Sequence, residues 1–176
     1  IFIHMPAALA KPLANDKYNW FYNSEPEPHL DNRHMYCPRG RVLGGSSSIN
    51  GMAYVRGHAR DYDRWAQGGL QGWDYSHVLP YFRKAETYER GPDDYRGGDG
   101  PLNVSAGPCK NPLFRAWIEA GRQAGYPVTQ DMNGFQQEGF AHMDMTVHRG
   151  RRWSCAVAYL KPAMTRPNLT VWTRAL

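Results

Sequence analysis

The sequence predicts a mixed fold, α+β or α/β, on three observations. Residues 112–124 carry an amphipathic helical run, residues 139–147 partly alternate apolar and polar, and a Gly44-Gly45 turn feeds a helix start at Ser46. The 176 residues, 41% of them hydrophobic, suffice for one ordinary core or for part of a larger domain. Mean hydropathy is −0.67, and no apolar run reaches the roughly 18 residues of a spanning helix.

Residues 1–36 mix four prolines with aromatic clusters at Tyr18, Trp20, Phe21 and Tyr22, which predicts irregular, extended chain. Ser46–Tyr54 predicts a helix after the glycine turn. A second helix spans Asp61–Gln67, closed by Gly68-Gly69, and a third follows Asp74 through Glu86 with a kink at Pro80. Residues 91–112 read as loop with a short strand near Leu102–Val104. Asn111 then caps a helix that has Pro112 in its first position, is packed on a core and stops at Gly125. The strand-like 139–147, a helix over Ser154–Tyr159 and a β-prone ending at Leu169 and Val171 complete the pass.

The formal charge is +5. Arg33, Arg39, Arg41, Arg56, Arg60 and Arg64 fall in the stretch that also holds the glycine-serine cluster. Interleaving with Asp61 and Asp63 predicts local ion pairs, and without an aromatic RNA-binding motif this is not a nucleic-acid surface. Cys37, Cys109 and Cys155 form no C-x-x-C pair, which predicts reduced thiols and neither a disulfide framework nor a metal site. The two glycosylation sequons at Asn103 and Asn168 are short enough to arise by chance. The chain opens on Ile1 without an initiator Met and closes at Leu176 within strand-like sequence, so it reads as an internal segment.

The informative chemistry lies in Gly40-Arg41-Val42-Leu43-Gly44-Gly45-Ser46-Ser47-Ser48-Ile49-Asn50-Gly51-Met52-Ala53-Tyr54. Adjacent glycines let backbone approach a ligand, and a helix start offers free N–H groups to an anion. Ser46 and Ser47 can cap that helix or bond a phosphate oxygen, and Asn50 can bond ring polar atoms or backbone. An ordinary glycine turn with a serine cap explains the same residues. Neither the G-x-G-x-x-G dinucleotide fingerprint nor the P-loop occurs.

The longer pattern from Gly40 through Asn50, Tyr54 and Gly57 to Asp63 resembles the first signature of the glucose-methanol-choline (GMC) oxidoreductases. The likeness runs on through YNW at 18–20, EPEP at 25–28, VRGHARDYDRW at 55–65, NGFQQEGF at 133–140 and MDMTVH at 143–148, and is strongest to the family's choline-oxidising members. The resemblance implies a two-domain flavoprotein: an FAD-binding α/β domain and a substrate domain on an antiparallel sheet. Within it, 1–176 is an internal fragment lacking the N-terminal dinucleotide-binding unit and the C-terminal catalytic part. Residues 38–64 are its FAD-contacting segment, and 65–176 hold the remaining excursions and the start of the substrate domain.

The implied activity is oxidation of choline to betaine aldehyde, with electrons passed to a membrane quinone and a peripheral membrane association compatible with that acceptor. The implied location is the matrix side of the mitochondrial inner membrane for an animal-type protein, and otherwise the bacterial cytoplasm or inner membrane. Carried over by position, Val42, Gly44, Gly45, Ser46, Ser47, Asn50, Gly51, Met52 and Ala53 would line the FAD. Ile49 stands where some members attach flavin through a histidine, so the resemblance implies non-covalent FAD.

The family's catalytic base has no counterpart in these residues, so no catalytic residue is assigned. The seven histidines show no triad or H-E-x-x-H spacing and predict structural or solvated roles, His58 included. Trp20, Phe21, Tyr22, Trp65, Trp73, Tyr75 and Trp117 could present ring faces to a quaternary ammonium, but core packing is the simpler role. Asp93, Asp94 and Asp99 read as a solvated loop. Two other readings stay open: a GMC enzyme for a different alcohol, and a catalytically inactive fragment or interaction module that is poorly soluble and binds FAD weakly.

Overall fold

A computed structural model describes residues 1–175, which form two compact units: Ile1–Met52 with the residues from Val147 onward, and Ala53–Thr146. In chain order the elements are α1 (Ala10–Leu13), β1 (Tyr22–Asn23), β2 (Tyr36–Cys37), β3 (Ala53–Tyr54), α2 (Ala59–Gln67), α3 (Tyr75–Ala85) and β4 (Glu86–Tyr88). There follow β5 (Leu102–Ala106), α4 (Pro112–Gln123), β6 (Asp144–Met145), β7 (Val147–His148), β8 (Arg151–Arg152) and α5 (Lys161–Ala163).

The first unit is mostly irregular, as its prolines dictate, and buried side chains order it in place of a long ladder. Asn19 is 1% exposed. Its Nδ2 donates to the Leu13 carbonyl at 2.9 Å, and its Oδ1 accepts from the N–H groups of Phe21 and Arg39 at 3.3 and 3.1 Å. One carboxamide thus ties the short α1 to the β1–β2 ribbon. At the other end of the sequence, Arg149 and Gly150 both take positive φ, which suits the right-handed twist of a two-residue hairpin and joins β7 to β8. A π-type turn over Ala156–Leu160 then runs into α5, close to the helix expected from Ser154.

The second unit is built on a four-stranded sheet in the order β3-β6-β5-β4, parallel between β5 and β4 and antiparallel elsewhere. The predicted start after Asp74 forms as a capped end, while the helix expected from Asp61 begins two residues earlier, at Ala59, with His58 as its cap. His58 Nδ1 accepts from the Arg60 N–H while Asp61 accepts from the His58 N–H, and Asp74 accepts from the His77 N–H. Tyr62 knits α2 to α3, its ring 5.7 Å from Phe82 and 6.3 Å from Tyr75. The helix expected after Asp74 through Glu86 forms as α3, Tyr75–Ala85, and runs as one element through Pro80. On α4, Asn111 Oδ1 accepts from the Leu113 N–H, and Pro112 takes the first turn as its sequence dictates.

The centre of this sheet is ionic. Arg96 is fully buried, donates to both oxygens of Glu86, and donates through Nη1 to Asp131 and Asp144. Arg56 reaches the same Glu86 at 2.6 Å, and Asn133 links Asp144 to the β3 carbonyl of Tyr54. The Arg96 guanidinium lies 3.5 Å from the Tyr88 ring centroid. Burial pulls the Arg96 pKa down, but the hydrogen bonds it donates to Glu86 and Asp144 outweigh it and raise it. Burial, with Asp144 beside it, pushes the Tyr88 hydroxyl up to about 12.

Several expectations are corrected. Ser46–Tyr54 is not a helix but one 3-10 turn over Gly45–Ser48, followed by β3. The Ser47 and Ser48 hydroxyls bond back to the Gly44 and Leu43 carbonyls, competing with helical propagation, and Gly51 and the positive φ of Met52 end it. The strand-like 139–147 yields only Asp144–Met145 and part of the β7–β8 hairpin. Leu169 and Val171 lie outside any strand, with no partner strand beside them among the described residues. The apolar face of α4 is not covered: Leu113, Phe114 and Trp117 are exposed, and the helix is held through Gly121, whose missing Cβ lets the Phe140 ring lie against it.

Two predictions follow from the ionic core. Arg96→Met leaves Asp131 and Asp144 without their guanidinium and Glu86 with Arg56 alone, and should lower the stability of the full-length protein by about 3–5 kcal/mol in urea denaturation. Because the Tyr88 hydroxyl is raised in the folded state, the unfolded chain loses that proton first. Stability should therefore fall as pH climbs from about 10, the unfolded value, to about 12. Tyr88→Phe should flatten that slope, and an unchanged slope would remove Tyr88 as its source.

Candidate functional site

The segment singled out from the sequence is a sharp turn that buries Ser48, Ile49 and Met52 and leaves Asn50 exposed. Gly44 and Gly45 take φ of +90° and +54°, conformations that cost a residue with a Cβ roughly 1–2 kcal/mol. A Cβ built on Gly44 would meet Ser48 Oγ at 2.6 Å, so that glycine is required by packing as well. At Gly45 and Gly51 nothing lies within 4 Å of the same position. Those two glycines present open backbone that a ligand can approach.

The backbone donors divide accordingly. The Gly45 N–H closes the turn onto the Val42 carbonyl, and Ser47 bonds to Gly44, while the N–H groups of Gly44 and Ser46 have no acceptor among the described residues. Since the expected helix is a single 3-10 turn, these two N–H groups, rather than a helix dipole, are what the turn offers an anion. The serines do not cap it. Ser46 Oγ accepts from the Gly40 N–H at 3.2 Å, and Ser47 Oγ donates to the Gly44 carbonyl and accepts from the Cys155 N–H at 2.9 Å.

Asn50 is exposed, its Oδ1 accepting from the Met52 N–H at 3.0 Å. Ile49 and Met52 are 2% and 1% exposed, so their side chains belong to the core and Met52 can contribute only backbone to a ligand. Val42 borders an open cavity of about 570 Å³, lined also by Trp20, Gly40, Arg41, Leu43 and Trp172, in which the Arg41 guanidinium stacks 4.6 Å from the Trp20 ring. Ala53 begins β3 in the second unit. The segment thus has the parts a dinucleotide needs: accessible glycine backbone, unbonded N–H groups and an exposed carboxamide.

The other sequence candidates do not gather into a site. His58 caps α2, His77 bonds Asp74 at 2.6 Å, and His148 packs edge-on against Trp153. Burial, then the nearby Arg151 and Lys161, lower the His4 pKa. Asp93 accepts from the N–H groups of Tyr95 and Arg96, a local turn. Trp65 and Trp73 contact each other at 5.8 Å, and Trp20 is stacked on Tyr22. A residue the sequence did not flag is Arg152, whose Nη1 bonds the Ser47 and Asn50 carbonyls. Nothing local in HRGRRW marks it, because its partners lie about a hundred residues earlier.

A GMC oxidoreductase family model matches residues 9–176. The chain belongs to the GMC oxidoreductases. It is 62% identical over 174 residues to mouse mitochondrial choline dehydrogenase, covering 99% of this chain and 29% of that protein. It is also 62% identical over 168 residues to the oxygen-dependent choline dehydrogenase of Sinorhizobium fredii, covering 96% and 31%. The chain therefore spans less than a third of the length of these relatives. Among solved structures, pyridoxine 4-oxidase from Mesorbium loti superimposes with a TM-score of 0.89 at 34% identity, over 97% of this chain and 34% of that one. An FAD-dependent oxidoreductase from Chaetomium thermophilum gives 0.85 at 28% identity, over 97% and 31%. The mixed α/β architecture is that of a GMC flavoprotein fragment.

Ser47→Ala removes a donor to Gly44 and an acceptor for Cys155, and should destabilise the full-length protein by about 1–2 kcal/mol, read as a lower urea midpoint. An unchanged midpoint would mean that the backbone alone holds the turn.

Proposed function

We propose that the protein carrying this chain oxidises choline to betaine aldehyde, with FAD as cofactor, and that residues 38–64 form its FAD-contacting segment. The observation that carries the substrate is the 62% identity to choline dehydrogenases across nearly the whole chain. Fold alone supports only an oxidoreductase of this family, because pyridoxine 4-oxidase superimposes on these elements with a TM-score of 0.89 at 34% identity. FAD is the cofactor of the family, and it supplies the hydride acceptor for the alcohol carbon.

The residues' work is binding and orientation. Gly45 and Gly51 give backbone access, Gly44 and Ser46 offer N–H groups to negative oxygen, and Asn50 offers its carboxamide. Val42, Ser47, Met52 and Ala53 complete the contact by backbone and small surfaces. Ile49 carries no nucleophile, which supports a dissociable cofactor. No proton acceptor for the substrate hydroxyl is assigned among these residues.

The electron acceptor in this reading is a membrane quinone, reached by peripheral association; among the described residues no helix is long and apolar enough to cross a membrane. The location follows the source, mitochondrial for an animal protein and bacterial cytoplasm or inner membrane otherwise, since relatives of both kinds match. The isolated 176-residue chain is inactive in this reading.

The test uses the full-length protein. It should purify with flavin absorbance, release FAD on acid denaturation, and reduce an electron-accepting dye with choline. Oxidation of another alcohol with choline ignored would keep the family and remove the substrate. Covalent retention of flavin through denaturation would remove the dissociable cofactor.

A further inference from the structure

Arg152 is 1% exposed and lies on β8, yet it forms no ion pair among the described residues. Its Nε donates to the Ile3 carbonyl at 2.9 Å. Its Nη1 donates to the carbonyls of Ser47 and Asn50 at 3.3 and 2.7 Å and to Asn50 Oδ1 at 2.8 Å, while Nη2 is buried without an acceptor. A buried guanidinium with half of its fork unbonded is a poor way to stabilise a fold, and an apolar side chain of similar length would avoid the cost.

What the arginine does accomplish is visible at Asn50. The side-chain oxygen receives two donors, Arg152 Nη1 and the Met52 N–H at 3.0 Å. A flipped carboxamide would set its NH2 against both, so the two donors fix which way the amide faces. Nδ2 then has no acceptor among the described residues, on a residue exposed at the turn's surface.

The geometry points to Arg152 as a positioning residue that locks the Asn50 carboxamide, so that its Nδ2 donors are presented to acceptor atoms of the bound cofactor, its ring nitrogens and carbonyl or phosphate oxygens. This rests on the reading that the segment contacts FAD. Arg152 acts through Asn50, and its guanidinium fork matters more than its charge.

The test compares wild type, Asn50→Ala, Arg152→Met, the double variant and Arg152→Lys in the full-length protein stripped of cofactor. Titrated with FAD by flavin fluorescence, each single variant should bind about tenfold more weakly or worse, the worth of one good hydrogen bond. The double variant should match Asn50→Ala within about twofold. Arg152→Lys, which keeps the charge and loses the fork, should behave like Arg152→Met. Losses that multiply in the double variant, or an Arg152→Lys that binds FAD like wild type, would overturn the proposal.

A cofactor-free arm decides the lock independently. The urea midpoints of the apoproteins should be non-additive across the Asn50 and Arg152 cycle, and additivity would refute the lock. Wild-type protein that takes up no FAD would overturn the functional reading, while this cycle would still decide for or against the lock.

Discussion

The second unit depends on one guanidinium. Arg96 joins Glu86 of β4, Asp144 of β6 and Asp131 of the connection before β6, so a single buried cation fixes two strands and a loop relative to each other. The short strands could not do this by themselves, since β6 has two residues and β4 has three. A hydrophobic core is correspondingly thin there, with Val104 and Tyr88 its buried apolar members on the sheet. Charge pairing demands more of geometry than apolar packing does, so such a core specifies one arrangement while contributing modestly to stability.

The first unit solves its ordering problem in the opposite way. Asn19 and Arg152 reach backbone carbonyls and N–H groups of segments with no ladder to hold them, and neither is paired to a carboxylate among the described residues. Burial lowers the Arg152 pKa, with no neighbouring anion to offset it. Arg96 is crowded by carboxylates and Arg152 by carbonyls, so the first is held by charge pairing and the second by the hydrogen bonds of its guanidinium.

Much of this was legible in the sequence, and the pattern of what was not is physical. Helix ends were readable because caps are local: Asp74, Asn111 and Pro112 act on their own next turn. The glycine turn was readable because positive φ selects glycine at 44 and 45. The helix expected after it failed because serine hydroxyls turned back onto carbonyls, a choice that propensity does not settle. The strand near Leu102–Val104 was readable and forms as β5, whereas the two-residue strands and the roles of Arg96 and Arg152 were not, since those depend on partners that no local pattern names. The exposed face of α4 was misjudged for a related reason: an amphipathic period says which side is apolar, not what covers it.

The cofactor turn carries a further consequence for reading specificity. In the proposed reading it offers a ligand the backbone at Gly45 and Gly51, the N–H groups of Gly44 and Ser46 and the Asn50 carboxamide, while Ser47, Ser48, Ile49 and Met52 turn their side chains into the protein. Residues chosen this way answer to the shape of the turn, and any protein that needs the same turn will keep them whatever alcohol it oxidises. A match confined to this segment would therefore report the cofactor and nothing about the substrate. Identity of 62% sustained over 174 residues is a different quantity, because it includes surfaces and loops that the turn does not constrain. The substrate reading stands on those positions, and the assignment of the cofactor-contacting residues on the turn, so the two can fail separately.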